Sequence, residues 1–64
     1  MNEVSKDRFY KVIGPQDAIL TVIHQHGWPY DTVFKHRNGK LLGRINTTLD
    51  KTTQKTTTEY LLVD

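Results

Sequence analysis

Asn38 and Gly39 stand between two segments that can run as strands, "YDTVFKHR" before the pair and "KLLGRINT" after it. In a strand successive side chains leave the backbone on opposite sides. An Asn-Gly pair between two such runs is the strongest short hairpin signal, since both residues tolerate the positive φ angles of a type I′ turn. The spacing predicts strands near 30–37 and 40–46. Tyr30, Thr32, Phe34 and His36 fall on one face of the first, and Asp31, Val33, Lys35 and Arg37 on the other. Gly43 is expected to be a weak point or a bulge in the second.

A helix precedes this hairpin. In "VSKDRFYKVIGP", Ser5 can cap the first turn through its hydroxyl. Val4 and Phe9 are spaced as a hydrophobic staple, and Asp7 sits where the helix dipole favours negative charge. Phe9, Val12 and Ile13 share one face. Gly14 is placed for a left-handed C-terminal residue, and Pro15 prevents continuation. The pattern predicts a helix over 5–13.

"QDAILTVIHQHGWP" reads two ways. As a helix it would carry a stripe of Ile19, Val22, Ile23 and His26 closed by Gly27, but the β-branched Ile19, Thr21, Val22 and Ile23 favour a strand over 17–24. Gly27 and Pro29 bracket Trp28 in a turn. Downstream, the echo "KTTQKTT" has only Leu49 to bury. Residues 47–57 are therefore expected to be a mobile Thr/Lys loop or the solvated end of a long hairpin. "TEYLLV" predicts a last strand near 58–63, with Tyr60 and Leu62 on one side and Leu61 and Val63 on the other.

The expected fold is thus α+β: one N-terminal helix packed on a small antiparallel sheet of three or four strands. The expected core is Phe9, Val12, Ile13, Leu20, Val22, Phe34, Leu42, Ile45, Tyr60 and Leu62. The alternative makes 29–38 a helix, with Pro29 at its first position and Gly39 closing it. "GWPYDTV" then becomes the turn and start of a recognition helix, and "KLLGRI" and "EYLLV" become two wing strands. That order resembles winged helix-turn-helix DNA-binding domains in outline.

Size limits what such a chain can do. A 64-residue chain forms one domain and buries only roughly 60% of the surface its unfolded form exposes, too little to house a deep catalytic cleft as well. It has no cysteine, so neither disulfides nor thiolate metal sites can hold it together. No apolar run is long enough to span a bilayer, and "MNEVSKDRFY" lacks the apolar stretch of a secretory signal, so a cytoplasmic protein without a membrane partner is expected. Ser5 is accounted for as a cap, no glycine-rich phosphate loop occurs, and the carboxylates lie in different segments. No enzyme is expected. His24 and His26 would point the same way on a strand, with His36 as a third imidazole. Two histidines without dedicated further ligands are common by chance, so no metal or other cofactor is expected.

The charge is uneven. Residues 1–34 carry a net −1, residues 35–55 a net +5 and residues 56–64 a net −2. Lys35, Arg37, Lys40, Arg44, Lys51 and Lys55 supply the basic band, a candidate footprint for a polyanion. The first expectation is therefore a small nucleic-acid-binding regulatory protein that uses a basic β-hairpin and loop. The alternative is a protein-binding inhibitor or regulator, of the kind found among accessory proteins of phages and mobile elements. It would use Trp28, Tyr30 and an open sheet edge, which would also invite pairing with a second copy of the chain.

Overall fold

The computed structural model describes residues 1–24 and 27–63, with His24 described by its backbone alone. The chain runs β1 (Asn2–Val4), α1 (Lys6–Ile13), β2 (Ala18–His24), β3 (Tyr30–His36), β4 (Leu41–Asp50) and β5 (Lys55–Leu62). The strands form one antiparallel sheet in the order β1-β5-β4-β3-β2. Strands β2 to β5 follow one another as a meander, and β1 lies along the outside of β5.

Two expectations are corrected. The sheet has five strands rather than three or four, and the additional one is β1. Three residues are too few to show alternation; they become a strand because β5 pairs with them, Asn2 with Leu62, Glu3 with Leu61 and Val4 with Tyr60. The winged-helix alternative also falls, because Tyr30–His36 is an interior strand paired with β2 on one side and β4 on the other. Asn38-Gly39 marks a hairpin turn, as the pair itself predicts.

Helix α1 begins as its sequence dictates. Ser5 is extended, and its hydroxyl accepts a hydrogen bond from the Arg8 N–H at 3.2 Å. Its end differs from expectation. Gly14 is right-handed, with φ −54° and ψ −44°, and its N–H donates to the Tyr10 carbonyl at 2.8 Å. Space makes this a glycine, since a Cβ there would lie 2.7 Å from that carbonyl oxygen.

The register aligns Leu20, Phe34, Gly43 and Leu62 across one face, and Val22, Thr32, Ile45, Tyr60 and Val4 in the next row. Helix α1 lies on this face. Phe9 is fully buried, with its ring 5.2 Å from that of Phe34 and 5.7 Å from that of Tyr60. Gly43 lets it sit there: a Cβ at 43 would come within 2.9 Å of the Phe9 ring and 2.7 Å of the Leu61 carbonyl oxygen. Ile13, Phe34 and Leu62 complete the buried core, with Val4, Ala18, Leu42, Ile45 and Tyr60 packed around it. The register shift between Phe34 and Lys35 falls beside Gly43, so the expected irregularity in β4 is present and adjoins the helix seat.

Three residues of the expected core are exposed: Val12, Leu20 and Val22. The helix is eight residues long and leans on β5, at the far side of the sheet from β2. Leu20 and Val22 point to the correct face but lie beyond its reach.

The β3–β4 turn departs from expectation, and the β4–β5 hairpin follows the long-hairpin alternative given for the Thr/Lys stretch. The β3–β4 loop is one residue longer than a type I′ turn: the Gly39 N–H donates to the His36 carbonyl, and the His36 N–H donates to the Lys40 carbonyl, both at 2.8 Å. Gly39 alone takes a positive φ, +94°, at the bulge position that follows the turn. The Thr/Lys stretch at 47–57 is mostly paired strand, from Thr47 opposite Thr58 to Asp50 opposite Lys55. Only residues 51–54 turn, held by the Asp50 carboxylate accepting from the Thr52 N–H at 2.9 Å.

Phe9→Ala is expected to cost about 3–5 kcal/mol, as large aromatic deletions in cores do. That is comparable to the whole stability of a domain this small. Circular dichroism and amide dispersion should report an unfolded chain. Gly43→Ala should lower the urea midpoint by an amount equivalent to about 1–3 kcal/mol without changing the slope.

Candidate functional site

The sheet places the six expected basic residues in three locations. Lys35, Arg37 and Lys40 stand at the end of the sheet that holds the β3–β4 turn. Lys51 and Lys55 stand at the opposite end, on the β4–β5 turn. Strand β4 is ten residues long, which separates the two turns by about 30 Å. Arg44 lies between them in the middle of β4. Two of the six are ion-paired: Arg37 Nε meets Asp17 Oδ2 at 2.7 Å, and Arg44 Nε meets Asp31 Oδ1 at 2.9 Å. The basic band of the sequence is therefore not one patch of the fold. It combines positions that a meander sends to opposite ends.

Asp31 and Arg44 belong to the sheet face that α1 does not cover. The register gives that face Ile19, Thr21 and Ile23 from β2, Asp31 and Val33 from β3, Arg44 and Asn46 from β4, and Leu61 from β5. Asp31 Oδ1 accepts from both Arg44 Nε at 2.9 Å and Asn46 Nδ2 at 2.6 Å. The Asn46 hydrogen bond, with the Arg44 hydrogen bond and charge, outweighs partial burial and holds the Asp31 carboxyl below its ordinary value of 3.8. The trio is a polar clasp joining β3 to β4 on a face that also carries Glu3, Lys35 and Glu59.

Trp28 and Tyr30 meet at the start of β3, with ring centroids 4.3 Å apart and planes inclined by 40°. Gly27, at φ +96°, turns the chain ahead of them. Both rings are partly exposed, Trp28 at 37% and Tyr30 at 36%. They stand at the same end of the sheet as Lys51 and Lys55, since Tyr30 pairs with Thr47 on the β4 arm that leads to that turn. His36 Nδ1 accepts from the Asn38 N–H at 3.3 Å, a local turn contact. His26 and the side chain of His24 lie outside the described residues. Among the described residues no cluster of three or more metal-binding side chains occurs, and no helix is long and apolar enough to cross a membrane.

Sequence reasoning missed the role of strand β2. It is an edge strand, paired with β3 on one side only. Ile19, Leu20, Val22 and Ile23 are 54%, 58%, 62% and 46% exposed, so large apolar groups are open to solvent on both of its faces. The signal was present in "AILTVI", which lacks alternation. A strand apolar on both faces normally lies inside a sheet covered on both sides. Here it lies at the rim, without the charged residue, proline or bulge that usually protects an edge. The opposite rim is built differently: β1 is three residues long and carries Glu3 at its centre.

No protein-family model matches the chain, and no curated protein or solved structure matches it.

The depressed Asp31 carboxyl stabilises the fold above its ordinary value, and the contribution disappears as pH falls through the lower native value. Asp31→Asn is expected to cost about 1 kcal/mol near neutrality, kept small by the partial exposure of Arg44. Urea titrations should show that cost shrinking as pH falls below the carboxyl's ordinary value and the native carboxyl in turn takes up its proton.

Proposed function

We propose that the protein is a non-catalytic protein-binding module of the regulator or inhibitor kind, which takes up an extended segment along the open edge of β2. One observation carries this: four large apolar side chains stand exposed on the two faces of a seven-residue edge strand. Such an edge offers a row of backbone N–H and C=O groups for pairing, and the side chains on alternate faces set which segment fits. The Trp28–Tyr30 pair lies at the His24 end of that edge, where aromatic rings can anchor a partner beyond the strand itself.

Nucleic-acid binding is the second reading, and one juxtaposition favours it. Lys51 and Lys55 share an end of the sheet with the partly exposed Trp28 and Tyr30, a pairing of cation and ring suited to a single strand. It is the weaker reading because Lys35, Arg37 and Lys40 cannot join the same footprint, and Arg37 is already paired with Asp17.

The two readings separate in one experiment. The wild-type protein, Val22→Lys and Arg37→Ala/Lys40→Ala are compared as baits in cell lysate and as ligands for short oligonucleotides at low salt. Protein capture, whether of a lysate protein or of a differently tagged second copy of the chain, is expected to be lost in Val22→Lys and kept in the double variant. Capture that survives Val22→Lys would overturn the edge reading. So would oligonucleotide binding that falls steeply with salt and accounts for all retention.

A further inference from the structure

We infer that the segment taken up by β2 is β2 of a second copy of this chain, the two strands running antiparallel about a two-fold axis through Thr21. The inference rests on the reading of β2 as a docking edge and names the occupant. Strand β2 is self-complementary in this register. Ala18 faces His24 of the second copy, Ile19 faces Ile23, Leu20 faces Val22, and Thr21 faces its own counterpart. All seven residues of the strand are used, and every large apolar side chain meets another. A shift by one pairing step, centred on Leu20, would put the Asp17 carboxylate opposite Ile23.

Charge favours a like strand over an unlike one. No Asp, Glu, Lys or Arg lies between Ala18 and His24, so self-pairing opposes no like charges, and a charged foreign segment would find no complement along the edge. Faces match as well. Paired residues sit on the same side of the sheet, so the two α1 helices lie on one side of a continuous ten-stranded sheet. Leu20 and Val22 of both copies form the strip of floor between the helices, and Ile19 and Ile23 of both copies adjoin on the reverse face.

Area favours a closed pair. The four apolar residues expose roughly 400 Å² together, divided between the two faces of the strand, which is at most about half of what a standard interface takes from each partner. The backbone edge and Thr21 add to it. This predicts a dimer that dissociates on dilution. Assembly stops at two, because an interface that uses the same edge on both copies closes on itself, and the remaining β1 edges are short and carry Glu3.

The test is sedimentation velocity over a range of concentrations on the wild-type chain, Thr21→Asp, Thr21→Lys and an equal mixture of the two variants. Thr21 is exposed, so both substitutions leave the monomer's core untouched. The wild type is expected to shift toward twice the monomer mass as concentration rises. Each variant alone should dissociate about tenfold or more readily, because like charges meet at the axis. The mixture should restore the dimer, because only this register brings position 21 against position 21. Amide exchange supplies a readout without mutation: protection across β2 of the wild type should rise with concentration. A wild type monomeric throughout would overturn the inference, and so would a dimer unaffected by either charge. If a monomeric wild type still captures protein in a manner that Val22→Lys abolishes, the docking edge stands and its occupant is foreign. If capture is absent as well, both fall.

Discussion

The ring of Phe9 resting on the bare backbone at Gly43 is the contact on which the rest of the molecule depends. It brings a two-turn helix close enough to the sheet to exclude water from Phe34 and Leu62. No disulfide is available to share this task, and among the described residues the buried core has four members. The hydrophobic driving force is therefore concentrated at one crossing point. Because the helix is short and seated toward β5, that crossing point also determines which part of the sheet is left uncovered. The exposure of Leu20 and Val22 on β2 follows from where Phe9 sits.

How much of this can be read from the residues depends on how local each cause is. Ser5, Asp7 and the Gly14-Pro15 stop act within one turn of chain, and the helix stands where they place it. The Asn38-Gly39 pair likewise locates the turn between β3 and β4, although the loop gains a residue because Gly39 alone of the pair supplies the positive φ. Strand β1 is invisible by the same logic, since its cause is a partner nearly sixty residues away. The core list fails at Leu20 and Val22 for a related reason. Sequence shows that these residues are apolar and on the inward face, whereas the extent of the lid above them is set by how far α1 reaches.

The basic band shows the opposite failure. Nearness in sequence suggested one surface, but a meander reverses direction at every hairpin and sends neighbouring turns to opposite ends. Lys40 and Lys51 are separated by little more than the length of one strand in sequence and by that same length in space. Arg44 is further committed by Asp31, whose carboxylate also holds Asn46. Charge counted along a chain describes a β-sheet surface only after the direction of each strand is known.

Strands β4 and β5 run on past the start of β3, whose last partner is Thr47. Beyond that point, among the described residues, 48–50 and 55–57 have only one another as strand neighbours. This arm is a two-stranded ribbon outside the cooperative core, and ribbons of that kind open locally without the domain unfolding. Residues 51–54 at its tip are thus mechanically and energetically insulated from the helix seat. Length and composition there are free to vary, which makes the arm the place where a new sequence could be carried at little cost to the fold.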